Sequence, residues 1–362
     1  MGIKFKYLFF SIFLFGGMLS AQPVNKQYRV GLVLPFHSSG TQSTLSEAML
    51  DYYEGFKMAA QYLEAEGLNL KLYVFDSEKD SFEFNRILKH PDLKTMDIIV
   101  GPVYAESMSA MEDFCNKYNI LLVSPLKYFV PKTDFKNVIN FFAPDSLRLS
   151  SIAEKCAKKY PKHKIYIVQD KSKNSIAEAL IIRKKLKAMQ MPFVRTTTLT
   201  DGKLNPIPSH LDSVILISTI SNKETKSALL TAIKKKNESY LFAHLDWNEK
   251  IGSTFEMDEP QTIYPEVNFV SYHDSFAIHF REQFFELYSG EPSKYAYIGY
   301  DQATYLCYGM MTFGRGFYTH LPDAEFRGLI NVIKLYPSSN SMVNLGLNYL
   351  QIIEEERVEL ER

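Results

Sequence analysis

The sequence has little cysteine, a single tryptophan and no excess of charge of either sign. Its 362 residues include 3 cysteines, and 41 basic residues balance 41 acidic ones. An odd number of cysteines with no Cys-x-x-Cys pair excludes a fold held by a disulfide framework. Cys115, Cys156 and Cys307 each fall on the apolar face of a predicted helix, so we expect buried free thiols. The charge balance argues against a nucleic-acid partner.

Common catalytic and metal-binding motifs are also missing. The sequence contains no Gly-x-Ser-x-Gly, no Walker loop and no His-Glu-x-x-His. Gly314 and Gly316 follow a predicted helix instead of a strand, which excludes a dinucleotide-binding loop. His244 with Asp246 supplies only two of the ligands that a metal site needs. We therefore expect no catalytic activity, no cofactor and no metal.

The N-terminus has the pattern of a secretory signal peptide. Lys4 and Lys6 precede an apolar stretch, Tyr7–Leu19, and Ser20 and Ala21 are small residues suited to cleavage. The stretch is shorter than the roughly 20 residues that span a bilayer. We expect residues 1–21 to be removed and the protein to be periplasmic or otherwise exported; an uncleaved anchor is the alternative.

The rest of the chain alternates short apolar runs with amphipathic segments. Ile98–Val100 and Leu121–Val123 are apolar throughout, which is typical of parallel strands covered by helices on both faces. Thr44 and Glu47 fit a capping box before a long helix. The pattern restarts after Pro144, and the length suits two domains. The sequence predicts an α/β fold with two doubly wound parallel-sheet lobes.

Several segments, taken in order, resemble the receptor ligand-binding region of the type I periplasmic binding proteins. These segments are Arg29–Phe36, Tyr52–Ala59, Ile98–Tyr104, Ile120–Pro125 and Tyr297–Ala303. The resemblance extends over Tyr28–Ile353. Within the family, the sequence is most similar in character to the bacterial envelope members. It implies two lobes joined by a multi-strand hinge. Residues 28–142 and 272–320 would form lobe one, and residues 143–271 and 321–362 lobe two.

The resemblance implies a non-catalytic protein that closes a cleft between its lobes on a small polar ligand, with delivery to a membrane transporter as one use. The alternative is an envelope interaction protein that regulates cell-wall synthesis through a cell-wall enzyme. Such a protein would be similar to penicillin-binding-protein activators, without a typical small ligand. The residues do not decide between the two.

Candidate ligand-binding residues follow from the rule that open parallel sheets bind ligands at the carboxyl ends of their strands. They are His37, Ser38, Tyr104, Ser124 and Lys127 in lobe one and Asp170, Asp246 and Trp247 in lobe two. For each of them an ordinary loop or capping role is the alternative. Trp247 is either a stacking wall for a ligand or an aromatic packed on its own lobe. Asp301 is expected to cap a helix.

One departure from the family concerns amino-acid ligands. Amino-acid binders of this family resemble one another in placing hydroxyls after the Gly-Pro turn and after the fourth strand, where they grip an α-carboxylate. Here Ala105 and Glu106 stand at the first place and Leu126–Tyr128 at the second. The departure counts against an amino acid without excluding another anion.

Overall fold

The computed structural model describes residues 26–37, 43–78, 81–132, 137–205, 214–234, 239–247, 262–319, 325–338, 340–353 and 356–360. The expected signal peptide, residues 1–21, lies outside these ranges, as does Ser38. The chain divides into two compact units, Met1–Phe141 with His279–Asn344 and Phe142–Ile278 with Leu345–Arg362. Each unit is a helix-covered, mainly parallel sheet, which confirms the predicted fold class.

The strands and helices alternate along most of the chain. In order they are β1 (Tyr28–Leu34), α1 (Thr44–Ala65), β2 (Leu70–Asp76), α2 (Ser81–Leu88), β3 (Ile98–Val100), α3 (Ala105–Tyr118), β4 (Leu121–Ser124), β5 (Val138–Asn140), α4 (Asp145–Lys159), β6 (Lys164–Gln169), α5 (Lys173–Ala188), β7 (Val194–Thr200), β8 (Lys203–Asn205), β9 (Val214–Ser218), α6 (Lys223–Lys234), β10 (Ser239–Phe242), β11 (Thr262–Glu266), α7 (Ser275–Tyr288), α8 (Lys294–Phe313), β12 (Phe326–Arg327), β13 (Val332–Ile333), β14 (Leu335–Ser338), β15 (Ser341–Asn344), β16 (Asn348–Ile353) and β17 (Glu356–Glu359). Short 3-10 helices lie at Leu93–Thr95, Leu245–Trp247 and Gly314–Thr319. In the described ranges no helix has the length and apolar character needed to cross a membrane.

The first unit is built on a sheet with the strand order β14-β15-β5-β4-β3-β1-β2. Strands β1 to β5 are parallel to their neighbours, and β15 continues the sheet by pairing in parallel with β5. This pairing places the chain up to Asn344 in the first unit. The resemblance implied that residues 321–362 belong to lobe two; by contacts, His279–Asn344 lie in the first unit and Leu345–Arg362 in the second.

The second unit is built on a sheet with the order β17-β16-β11-β10-β9-β6-β7-β8. Its central strands are parallel, and their alternate residues enter two separate hydrophobic cores. Ile165 and Ile167 of β6 face one core, whereas Tyr166 and Val168 face the other. Both faces of these strands are therefore buried, which explains why they read as continuous apolar runs.

Helix α1 begins one residue earlier than its sequence signal suggested. The N-cap is Ser43, whose side chain accepts a hydrogen bond from the Ser46 N–H. The Ser46 hydroxyl oxygen in turn accepts a hydrogen bond from the Ser43 N–H. The expected capping box of Thr44 and Glu47 is wrong, because the serine pair completes the same reciprocal bonding one position upstream.

Asp301 does not cap a helix as the sequence suggested. Helix α8 is capped by Ser293, and Asp301 lies two turns inside it with a fully buried side chain. Its carboxyl oxygens accept hydrogen bonds from three consecutive backbone N–H groups, those of Leu329, Ile330 and Asn331. Asp301 thus fastens the segment before β13 to α8.

The three cysteines are unpaired and fully buried on α3, α4 and α8. Burial raises the pKa of each thiol, that of Cys307 to about 12. Because the thiolate is the reactive form, we expect no reaction of the native protein with a thiol reagent and three thiols per chain after denaturation. Thiol titration with and without denaturant checks this, and rapid labelling of the native protein would contradict it.

Candidate functional site

The carboxyl ends of β1, β3 and β4 lie side by side in the first sheet, since β3 pairs with both of the others. The chain packs tightly at this edge. Gly101, directly after β3, has a φ of 93°, and a Cβ there would come within 2.2 Å of the Val33 carbonyl oxygen. Glycine is therefore required at this turn. The turn leads to Tyr104, the N-cap residue of α3.

His37 and Tyr104, which follow β1 and β3, lie close together at this edge. The His37 Nε2 atom lies 3.2 Å from the Tyr104 hydroxyl oxygen, and both side chains are partly buried. Burial raises the pKa of Tyr104. A hydroxyl and an imidazole offer a ligand both donor and acceptor groups without any reaction.

The position of His37 depends on Asp76, a residue that the sequence had not singled out. His37 has a φ of 55°, a left-handed conformation that non-glycine residues seldom adopt. The Asp76 carboxylate, at the end of the neighbouring β2, accepts hydrogen bonds from the N–H groups of Phe36, His37 and Glu78. These bonds hold the loop after β1 in its unusual conformation.

Ser124 and Lys127 are also brought together, but through the turn that they form. The Ser124 hydroxyl is buried and donates its proton to the Lys127 carbonyl oxygen at 2.6 Å. It therefore has no donor left for a ligand, only acceptor capacity. The Lys127 side chain is exposed. Ala105 and Glu106 are likewise exposed, in the first turn of α3.

In the second unit, Asp170 organises the loop after β6. Its carboxylate accepts a hydrogen bond from the Ser172 N–H at 2.8 Å, and its own N–H donates to the Ser175 hydroxyl. Ser175 also bonds the buried Thr219, which follows β9. Asp170 is half-buried, so part of it remains accessible. The side chain of Asp246 lies outside the described part of the chain.

Trp247 is not at a surface where a ligand ring could stack on it. Its side chain is 1% exposed and packs in the core of the second unit beside Tyr264. The indole N–H donates to the Ile220 carbonyl oxygen, and Lys226 lies over the ring. Of the two interpretations of Trp247, packing on its own lobe is the one observed. A residue that follows a strand can turn into its own core, and the sequence pattern does not distinguish the two directions.

The burial of Trp247 makes a simple optical prediction. We expect its fluorescence to be blue-shifted, to resist quenching by acrylamide in the native protein and to shift to the red on unfolding. An emission already typical of a solvated indole under native conditions would contradict the observed packing. The same burial makes Trp247 a reporter of unfolding in preference to ligand binding.

A histidine–carboxylate pair lies just after the carboxyl end of β10 in the second unit. His244, after β10, is buried, and its Nε2 atom lies 2.9 Å from a carboxylate oxygen of Glu178 on α5. The sequence drew attention to His244 as a residue after a strand and as half of a two-ligand set with Asp246, and its partner Glu178 stands 66 positions earlier. In the described ranges no group of three or more histidine, cysteine, aspartate or glutamate side chains is arranged to hold a metal ion.

The chain has the two-unit α/β fold of the type I periplasmic binding proteins. A branched-chain amino acid ABC transporter periplasmic ligand-binding protein from Burkholderia xenovorans matches 92% of this chain and 94% of its own, with 11% identity and a TM-score of 0.56. A protein from Rhodospirillum rubrum, provisionally named as a branched-chain amino acid ABC transporter, matches 92% of this chain and all of its own, with 11% identity and a TM-score of 0.63.

A third structure with this fold has a name that does not refer to transport. Full-length LpoA from Haemophilus influenzae matches 94% of this chain with 11% identity and a TM-score of 0.61, and the match covers 60% of LpoA. The sequence matches no family model and no curated protein. At these identities the likeness is one of fold.

Proposed function

We propose that the chain is an exported, non-catalytic binding protein that takes up a small polar ligand and hands it to a membrane transporter. The observation that carries the proposal is the His37–Tyr104 pair at the carboxyl edge of the first sheet. This is the edge where open parallel sheets bind ligands. His37 lies on a loop whose backbone Asp76 holds, and Tyr104 begins α3, in a fold shared with ABC transporter ligand-binding proteins.

Two further features favour binding over catalysis. The three thiols are buried and their pKa values are raised, which makes them poor nucleophiles. The Ser124 hydroxyl is engaged with a backbone carbonyl. The residues at the edge therefore offer hydrogen bonds and one exposed cation, Lys127, and a ligand with polar or anionic groups would use both.

The mechanism we propose is ligand-driven closure of the two units. A ligand that binds better to a closed arrangement shifts the protein towards it, by no more than the difference between its two affinities. A transporter would then recognise the closed form. A fall in the radius of gyration on ligand binding, measured by X-ray scattering, supports this step, and tight binding without compaction contradicts it.

A thermal-shift screen of the mature protein against a metabolite library tests the ligand. At a free concentration of about 100 times Kd, a ligand stabilises the protein by about 2.7 kcal/mol, which is readily detected. We expect one chemical class of polar metabolite to raise the melting temperature.

The second candidate is an envelope interaction protein that regulates cell-wall synthesis through a protein partner, similar to penicillin-binding-protein activators. The match with LpoA favours this second candidate. LpoA has this fold at a TM-score comparable to those of the transport proteins, and its name does not refer to transport. A screen in which no metabolite has an effect, together with a radius of gyration that does not change, would favour this candidate.

A further inference from the structure

The loop that follows β4, Pro125–Lys132, is held by buried polar side chains from three other elements. Surface loops normally leave their backbone groups to water. Here four of the backbone groups of the loop are bonded to almost fully buried side chains of these three elements, and a fifth, the Lys127 carbonyl oxygen, accepts from Ser124 of β4.

Gln302 of α8 holds the start of the loop. Its Nε2 atom donates to the Pro125 carbonyl oxygen at 2.9 Å, and its Oε1 atom accepts from the Tyr52 hydroxyl at 2.7 Å. The amide is 1% exposed. The carbonyl oxygen of Pro125 can only accept, so the NH₂ group of the Gln302 amide faces it. The amide oxygen then faces the Tyr52 hydroxyl, which donates to it.

Asn140 and Glu112 hold the middle and the end of the loop. The Asn140 side chain accepts from the Phe129 N–H at 2.8 Å and donates to the Phe129 carbonyl oxygen at 3.0 Å. The Glu112 carboxylate accepts from the Lys132 N–H at 3.0 Å. Asn140 and Glu112 are both fully buried. Burying an amide or a carboxylate is unfavourable unless its hydrogen bonds are made, so these side chains stabilise one loop conformation.

The fixed backbone leaves side chains of the loop exposed at the carboxyl edge of the sheet. Lys127 is exposed, and Val130 is 65% exposed. A loop that is already ordered loses little conformational entropy when it binds, which increases affinity.

We propose that Pro125–Lys132 is a preformed recognition loop of the ligand site and that Gln302, Asn140 and Glu112 are its positioning residues. The proposal rests on the proposed function in one respect, that the loop belongs to the ligand site. The positioning residues act through the backbone of the loop and do not touch the ligand.

Limited proteolysis measures the loop without any ligand. Trypsin can cut between Lys127 and Tyr128 only when the loop opens. We expect cutting there to be slow in the wild type and about tenfold faster in Asn140→Leu and Gln302→Glu, since each loses about 1.4 kcal/mol of loop stabilisation. Gln302→Glu keeps an acceptor for the Tyr52 hydroxyl, and as a carboxylate it loses the donor to Pro125 and places a buried charge beside that carbonyl oxygen.

Thr304→Ala is the matched control, because Thr304 lies on the same helix and, among the residues that the structure describes, its hydroxyl bonds the Tyr300 carbonyl oxygen and no group of the loop. If cutting at Lys127 in both test variants is no faster than in this control, the positioning role is wrong.

Hydrogen exchange gives a second readout. The Phe129 amide should exchange fast in Asn140→Leu and stay protected in Asn140→Asp, which retains an acceptor, and equal exchange in the two would also overturn the role.

Affinity separates this proposal from the proposed function. Metabolites that stabilise the wild type in the thermal-shift screen should bind Gln302→Glu about tenfold more weakly while Thr304→Ala binds them normally. Unchanged affinity in a variant whose loop has opened would overturn the recognition role and leave the function intact. A wild type that binds no metabolite would contradict the function, and proteolysis would still decide whether Asn140 and Gln302 hold the loop.

Discussion

Asp301→Ala should lower the free energy of unfolding by about 3 kcal/mol or more at neutral pH, because it removes the carboxyl group that accepts hydrogen bonds from three backbone N–H groups, two of them buried. These are the N–H groups of Leu329, Ile330 and Asn331. Asp301→Asn should recover part of the loss, since its amide has one oxygen and its NH₂ group cannot accept. Urea denaturation followed by Trp247 fluorescence measures the effect. A loss below that of Thr304→Ala on the same helix would contradict it.

The penalty of Asp301→Ala should also depend on pH. Burial raises the pKa of Asp301 from 3.8 to about 7, although the three N–H donors oppose the rise. A carboxyl whose pKa is higher in the folded state contributes stability as the neutral acid, fully below its unfolded pKa, and loses it as pH rises through the folded pKa. The penalty should therefore be larger at about pH 5 than at about pH 8. The opposite trend would mean that the N–H donors outweigh burial.

Gly299→Ala and Gly55→Ala should each destabilise the first unit at or above the upper end of the roughly 1–3 kcal/mol typical of overpacking. The two glycines lie where α1 and α8 cross. A Cβ on Gly55 would come within 1.9 Å of the Ala296 carbonyl oxygen, and one on Gly299 within 2.1 Å of the Tyr52 carbonyl oxygen. Both obstacles are backbone atoms, so the helices themselves must separate.

Gly290→Ala is the control for the two glycine variants. A Cβ at Gly290 would meet only the Tyr288 carbonyl oxygen, at 3.9 Å, which is an ordinary contact. Denaturation midpoints should therefore fall for Gly55→Ala and Gly299→Ala and stay near the wild-type value for Gly290→Ala. Equal midpoints for all three would mean that α1 and α8 do not cross as closely as the structure has them.

The sequence predicted the central strands that are buried on both faces and missed the two strands at the ends of the second sheet. Ile98–Val100 forms β3 as its apolar run indicated. Strands β8 (Lys203–Asn205) and β17 (Glu356–Glu359) stand at the two ends of the second sheet. An edge strand has a partner on one side only, and its polar sequence gives no hydrophobic signal.

The candidate site was predictable only as far as the carboxyl ends of the strands define it. His37 and Tyr104 follow directly from the order of strands and loops, and they meet. The residues that hold the loops after β1 and β4 could not be found in this way. Asp76 lies 40 positions from the loop it supports, and Gln302 lies 177 positions from Pro125. Tertiary packing creates these pairs, and no local pattern marks them.

The most direct test of ligand binding at the His37–Tyr104 edge is titration calorimetry with the metabolite that most stabilises the wild type. We expect His37→Ala and Tyr104→Phe each to bind it at least about tenfold more weakly, a loss of about 1.4 kcal/mol. Gly290→Ala, which changes no residue of the edge, should bind it as the wild type does. Unchanged affinity in both His37→Ala and Tyr104→Phe would contradict the assignment of the binding site to this edge.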